Sequence, residues 1–519
     1  MSKRVVIVGA GPGGLATAML LARAGASVDV LEQRSVVGGR TSRLDMDGYC
    51  FDIGPTFFLY PSVLEEIFRY CGFELTDEVP MVRLDPHYRV LFEGGGGMDA
   101  TPDVARMKEQ IASLRPGDAA GLEPFLADNR KKLRSFEAIF HRPFLHAWDM
   151  LRPSVLKSLR HLSPHRSLEQ EVGRYFQDPR VRLAFTFQSK YLGMSPFHCP
   201  SLFSILSFLE YEFGVFHPVG GCGQLTRVMG RLAEALGARI HLDEAAEEVL
   251  FDGGRASGVR TAGGAYVADA VVVNADFAEA MRRLVPERRR RRWSDARIAT
   301  RKYSCSTFMM YLGVRGGVDL PHHTIWLAAD YPKNLKEIED LHVLSGNPSF
   351  YVQNACVSDR CLAPAGGSTL YVLVPVTHQH AHVDWAAHGA AFRRTVLGQL
   401  EKIGVEHLED RIVSERVVTP DDWAEQHAIY RGATFNLAHS LDQMLYFRPH
   451  NRFEDARGVY LVGGGTHPGS GLPVIFASAG ITTRLVCRQL GLPEPAVGRI
   501  QLDAGPVSER AAAPHGERG

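Results

Sequence analysis

Three glycines and an acid carry the clearest chemical meaning in this chain. Gly9, Gly11 and Gly14 form a Gly-x-Gly-x-x-Gly spacing, and Glu32 follows eighteen residues after the last of them. Each suits a dinucleotide. Gly9 permits a tight turn, Gly11 lets the backbone approach a pyrophosphate, Gly14 lets helix and strand pack closely, and the helix start offers N–H groups to the anion. The Glu32 carboxylate can accept hydrogen bonds from ribose hydroxyls. Just beyond lies Val37-Gly38-Gly39-Arg40-Thr41, where Gly39 and Arg40 could bring a cationic fork onto the same pyrophosphate. The glycine signature does not separate NAD from FAD, although a nicotinamide enzyme has no evident need for this second element. A ligand-free glycine turn is the plain alternative, and the complete strand–turn–helix–strand–acid context weighs against it. Far along the chain, the glycine-rich run 463–471 (GGGTHPGSG) lies between a strand and a helix. A second turn able to meet a phosphate or a sugar chain implies one cofactor embedded between distant segments.

Other candidates carry less. His378, His380 and His382 alternate beyond a strand without a carboxylate or cysteine ligand pattern, so no metal site is expected. The run Arg288 to Arg292, with Arg282 and Arg283 before it, reads as a solvated face or a membrane-phosphate contact. Gly220 and Gly221, before a helix, read as a packing turn or a direct cofactor contact.

The elements that must position these residues alternate in character. A β-branched run from Arg4 to Val8, a helix closed by Gly25 and a strand from Ser27 to Leu31 form a βαβ unit. From about 80 to 215 the pattern turns to longer amphipathic segments rich in Leu and aromatics. Alternation typical of α/β structure returns near 217, with a helix from about Leu225 to Leu236 and a strand near Arg239. Mixed strands and helices fill about 300 to 440, and a last strand, Val459 to Val462, leads into the second glycine turn. The expected organisation is α/β. A Rossmann-like nucleotide domain (1–80, 216–300 and 441–492) is interleaved with a helical insertion (81–215) and a mixed-sheet substrate domain (301–440), followed by a disordered tail (493–519).

A chain of 519 residues with 58 basic and 58 acidic side chains has room for a large enclosed site and no global charge to attract nucleic acid. Its eight cysteines form no CxxC pair, which fits a reducing, cytoplasmic compartment. No run of ~18 apolar residues occurs, so any membrane contact is peripheral.

VVIVGAGPGGL at the start, the GGR triplet, FDIGPT at 51–56, FHPVGG at 216–221, and FRPHN with GVYLVGGGTHPGSGLP near the end together resemble the bacterial phytoene desaturase family of carotenoid biosynthesis. The match spans nearly the whole chain, and its C-terminal motif is far more specific than the N-terminal one. The resemblance implies noncovalent FAD, with Glu32 on the adenosine ribose, Arg40 near the phosphates and the Val249 backbone at the adenine. Gly463, Gly464 and Thr466 would lie by the ribityl chain and pyrophosphate, and Val474 near the flavin ring. After GLP this chain continues VIFASAG, with bulkier Ile475 and Phe476, where many relatives carry a Gly-rich GVIGSAK-like stretch. Asp149 and Arg152 match positions of an acid/base pair proposed for the family; a surface ion pair is the alternative. The nearby Phe136, Phe140, Phe144 and Trp148 could be core, tunnel lining or membrane anchor, with Arg142, Arg152, Lys157 and Arg160 interleaved.

The implied reaction is desaturation of an apolar isoprenoid. A hydride passes from an allylic carbon to flavin N5, a delocalised cation results, and a neighbouring proton is lost. Positioning and cofactor chemistry then do most of the work, and a dense cluster of acids and bases is not expected. Implied partners are the isoprenoid, the inner face of the membrane, and oxygen or a quinone as electron acceptor. Competing readings are a desaturase or oxidase of a C30 precursor such as diapophytoene, an amine oxidase, and a non-catalytic prenyl-binding protein like the Rab escort and dissociation-inhibitor proteins.

Overall fold

The computed structural model describes residues 2–159, 163 and 165–498. Arg4–Val8 pairs in parallel with Ser27–Leu31 on one side and with Ala270–Val273 on the other. Arg239–His241 and Val459–Leu461 complete a five-stranded parallel sheet, outermost beside Ser27–Leu31 and Ala270–Val273 respectively. Numbered along the chain the order is 3-2-1-4-5, a doubly wound arrangement. In such sheets the ligand crevice lies where the order reverses, at the carboxyl ends of the first and fourth strands.

The helix Pro12–Arg23 makes the first crossover. Pro12 suits its first turn, Ala, Leu and Met sustain it, and Gly25 closes it at φ +89°. Residues 12–21 are all buried, because the helices Cys222–Ala235 and Leu472–Leu490 flank it against the sheet. Gly14 makes that closeness possible, since a Cβ there would lie 2.1 Å from the Gly9 carbonyl oxygen.

A second sheet has seven strands, in the order Ile412–Val418, Ser306–Arg315, Gly367–Val376, Phe350–Gln353, His323–Leu327, Tyr88–Phe92 and Gly97–Ala100. Neighbours are antiparallel except His323–Leu327 with Tyr88–Phe92. The stretch from 81 therefore opens with strands and becomes helical only at Val104. Their short alternation, with Tyr88, Val90 and Phe92 more buried than their neighbours, is overshadowed in sequence by the Leu- and Phe-rich helices that follow. Those helices, chiefly Leu122–Phe140 and Ser204–Phe213, bury Phe125, Phe176, Phe185 and Phe208 in a core shared with the seven-stranded sheet.

The tail expected to be disordered from Pro493 begins as packed chain. Val497 is buried, its carbonyl accepts from Arg484 at 2.6 Å, and the Gly498 N–H donates to Glu66 at 2.8 Å. Residues 499–519, and Arg160 of the aromatic segment, lie outside the described residues. Among the described residues no helix is long and apolar enough to cross a membrane.

Candidate active site

One cavity runs from the crevice of the parallel sheet into the helical region. At the crevice Asn274 Nδ2 donates to the Gly9 carbonyl at 3.1 Å, tying the first and fourth strands together just past their ends. Gly9 has φ +96°, and a Cβ on it would lie 2.3 Å from the Asn274 carbonyl oxygen. A Cβ on Gly11 would lie 2.9 Å from Asn274 Nδ2. The turn therefore requires glycine, and it presents bare backbone to the cavity at Gly9, Gly11 and Gly13. Glu32 is buried on the same wall; its Oε2 accepts from the Ala10 N–H at 2.8 Å and its Oε1 from the Arg34 N–H at 3.0 Å. Burial raises this carboxyl above its ordinary value, against the pull of those N–H groups. Gly39 lies over Gly11, a Cβ on it falling 3.5 Å from Gly11 Cα. Arg40 follows on the wall and donates to the Thr434 carbonyl. Burial lowers its guanidinium, opposed by Asp276, whose carboxyl burial pushes up to about 6.

The second glycine turn is shaped by the FRPHN segment. Arg448 is fully buried and donates to the carbonyls of Leu437, Ala438, Gln443, Gly464 and Thr466 at 2.7 to 3.4 Å. Burial lowers it to about 9. This clamp holds Gly463 and Gly464 on the cavity wall, Gly463 at φ +114°. Thr466 faces the other way, its hydroxyl donating to the Pro449 carbonyl at 2.7 Å. Asn451 donates to the His467 carbonyl at 2.9 Å and completes the brace. The FHPVGG segment is likewise a packing turn. Gly220 N–H donates to Asp359 Oδ2, and a Cβ on Gly221 would fall 2.6 Å from Asp52 Oδ1.

Past the turns the wall becomes apolar and aromatic. Phe136 and Phe140 reach it from Leu122–Phe140, Ile205 and Leu209 from Ser204–Phe213, and Ile325, Phe350 and Tyr351 from the seven-stranded sheet. Val474 and Ile475, at the start of the C-terminal helix, join the wall, whereas Phe476 is buried edge-on against Phe58. Few polar side chains interrupt this chamber. Glu210 accepts from Tyr88 and Gln188 on one oxygen and from Tyr191 on the other, and burial pushes its carboxyl up to about 7. Lys190 pairs with Glu339 at 3.0 Å. His323 and Tyr351 lie 2.7 Å apart. Sequence reasoning missed all of these. The adjacent imidazoles of His322 and His323 at the start of an apolar strand are a local signal for His323 alone; the others have none.

The remaining candidates sit off this wall. Asp149 closes its own 3-10 turn, accepting from the N–H groups of Leu145 and His146 and from Arg152 at 2.6 Å. Burial would raise this carboxyl, and those donors bring it below its ordinary value. Asp149 and Arg152 thus form an ion pair, and neither lines the cavity. Val249 is packed behind the sheet with Val6, Val8 and Leu31, while Ala246 on the same strand reaches the wall. Of the four aromatics singled out, Phe136 and Phe140 line the chamber, Phe144 packs on His467 at 5.1 Å, and Trp148 is 65% exposed. Within the arginine run, Arg290 is buried on the carbonyls of Val285 and Trp293, and Arg292 donates to the Tyr446 carbonyl. Among the described residues no group of His, Cys, Asp and Glu could hold a metal ion.

The chain matches the flavin-containing amine oxidoreductase family over residues 12–479. It is 41% identical over 490 residues to a 4,4'-diapophytoene desaturase from Methylomonas sp., covering 94% of this chain and 96% of that one. This protein belongs to the carotenoid desaturase family of FAD-dependent oxidoreductases. A second relative of this desaturase, the all-trans-zeta-carotene desaturase of Myxococcus xanthus, is 40% identical over 500 residues, with 94% of each chain covered. An oxidoreductase structure from Methanosarcina mazei superposes with a TM-score of 0.64 at 18% identity, covering 92% of this chain and 98% of that one, and shares the fold. The desaturase's cofactor is FAD. The residues present fit it, since the turn leaves no room for a methyl group at Gly9 or Gly14, bares its backbone to the cavity, and has the buried acid of Glu32 beside the same space.

Gly11→Val is expected to abolish flavin retention, because the side chain would meet Asn274 where the backbone should meet phosphate. Absorbance of the folded, purified variant checks this; a full complement of FAD would contradict the placement.

Proposed function

We propose that this carotenoid desaturase acts on a long acyclic isoprenoid, phytoene or a related carotene, removing a hydride and then the neighbouring proton. One observation carries the reading: the nucleotide turns and the aromatic chamber are parts of a single cavity. Bound FAD supplies the acceptor for a hydride from an allylic carbon. The chain's own task is to hold and to exclude. Glu32 would hold the adenosine ribose, Arg40 the phosphates, Gly463 and Gly464 the ribityl end and Val474 the ring, and the strand of Ala246 and Val249 would meet the adenine. Thr466 acts at one remove, by fixing its loop to Pro449. The chamber keeps water away from an electron-poor polyene and aligns one carbon pair with the ring. Its walls suit a hydrocarbon better than an amine. The C30 chain diapophytoene is the second reading, favoured by the Methylomonas relative's name. Electrons then pass to oxygen or a quinone.

Such a substrate dissolves in lipid, and an exposed apolar face stands beside the chamber. Trp148 and Leu151 are 65% and 69% exposed, and Leu156 and Phe447 are nearly half exposed. Arg152 and Lys157 border them. The segments Ala147–Leu151 and Leu445–Phe447 pack on each other, and Met444, next in the chain, is on the chamber wall. We assign this face to the membrane, basic side chains toward the headgroups and apolar ones between the acyl chains.

Anaerobic incubation of the FAD-loaded protein in liposomes with phytoene is expected to bleach the flavin and produce visible polyene bands. Bleaching by diapophytoene alone would shift the assignment to C30 chains, and bleaching by neither would refute it. The double variant Trp148→Ser, Leu151→Ser is expected to weaken binding to anionic vesicles about 100-fold, from ~1.5 kcal/mol per side chain. FAD content should not change. Unaltered cosedimentation would remove this face from the membrane.

A further inference from the structure

The arginine run has no part in the chemistry above, yet it is built into the fold. Residues 282–302 carry ten basic and two acidic side chains, in a chain whose totals are 58 and 58. Two members hold the loop. Arg290 is buried and donates to the Val285 and Trp293 carbonyls at 2.8 and 2.7 Å and to Asp295 at 2.8 Å. Arg292 donates to the Tyr446 carbonyl at 2.6 Å and pairs with Glu454 at 3.4 Å, while Asp455 accepts the N–H groups of Arg292 and Trp293. The nearby acids are spent on these anchors. Arg288 and Arg291 are exposed, as is Arg297, and among the described residues none of the three reaches a carboxylate. A loop pinned from beneath thus holds unneutralised guanidinium groups close together, and an anion relieves their mutual repulsion.

What the anchors rest on points to the anion. Arg292 lies over the Tyr446 ring at 4.6 Å, and the next residue, Phe447, is 47% exposed. Leu445–Phe447 packs on Ala147–Leu151, the segment that carries exposed Trp148 and Leu151. The arginine loop therefore abuts the apolar face assigned above to the membrane. Cations bordering an apolar face complement an anionic bilayer, where apolar side chains enter the acyl region and guanidinium groups meet the phosphates in a two-pronged fit. A nucleic acid would match the charge and leave the adjoining apolar side chains without a partner.

We propose that Arg288 and Arg291, presented by the loop that Arg290 and Arg292 pin, bind the phosphates of anionic phospholipids and direct the desaturase to negatively charged membrane, an inference that rests on the membrane assignment of the Trp148 face. The test measures cosedimentation of the FAD-loaded protein with vesicles of phosphatidylcholine alone and of phosphatidylcholine mixed with phosphatidylglycerol. Wild type is expected to bind the mixed vesicles more tightly, and added salt should remove the difference. The double variant Arg288→Gln, Arg291→Gln should bind the mixed vesicles about 25-fold more weakly, roughly five-fold per arginine, with unchanged FAD content and unchanged binding to phosphatidylcholine. Lys333→Gln, Lys336→Gln removes the same charge from exposed positions on the helix Tyr331–Glu339 and should lose far less. Equal losses in the two variants, no loss in the arginine variant, or a wild type that binds an oligonucleotide through this run and gains nothing from phosphatidylglycerol would each overturn the assignment. Wild-type binding to phosphatidylcholine without any such gain would leave the apolar face standing, whereas binding to neither vesicle would overturn both.

Discussion

The approach of Gly9 to Asn274 is the constraint on which the rest of this molecule depends. Two parallel strands that are neighbours in space and far apart in sequence end side by side, and the side chain of Asn274 reaches the Gly9 carbonyl at 3.1 Å. No methyl group fits at Gly9 or Gly14, where a Cβ would meet backbone oxygen. Because the chain passes so close to itself, the helix Pro12–Arg23 can lie flat on the sheet and its start can face a crevice instead of a packed core. Glu32, Arg40 and the second glycine turn are then arranged around that opening. The turn at 463–465 has no regular structure of its own, and a buried cation, Arg448, satisfies the carbonyls that it and its neighbours leave inward.

What was legible in the sequence follows from how local each signal is. Gly9, Gly11, Gly14 and Glu32 could be read because strand, turn, helix and acid are contiguous, each with one physical duty. The strands Tyr88–Phe92 and Gly97–Ala100 were hidden because they are short and their partners lie in distant segments; Tyr88–Phe92 pairs with His323–Leu327. Thr466 was singled out with its neighbours, yet its hydroxyl turns into the Pro449 loop, a difference of side-chain direction that no spacing encodes. Asp149 and Arg152 share a turn as their spacing allowed, but the turn points its carboxylate at its own backbone. His323, Tyr351 and Thr56 meet only after three separate segments fold, so no single stretch could announce them.

The chamber also explains why so few charges appear near the chemistry. A cation spread along a polyene needs no carboxylate beside it, and each buried charge would cost several kcal/mol unless paired. Lys190 and Glu210, the charges that do face the chamber here, are each held by protein partners. Apolar walls meet the same chemical need with less desolvation.

The central claim is that flavin and hydrocarbon share one continuous cavity, and a hydrocarbon that cannot react tests it most directly. Titrating the FAD-loaded protein with squalane, a saturated C30 isoprenoid, should sharpen and shift the visible flavin band at one equivalent, as apolar chain replaces water beside the ring. A flavin spectrum that stays unchanged while squalane demonstrably binds would place the two in separate sites and contradict the account.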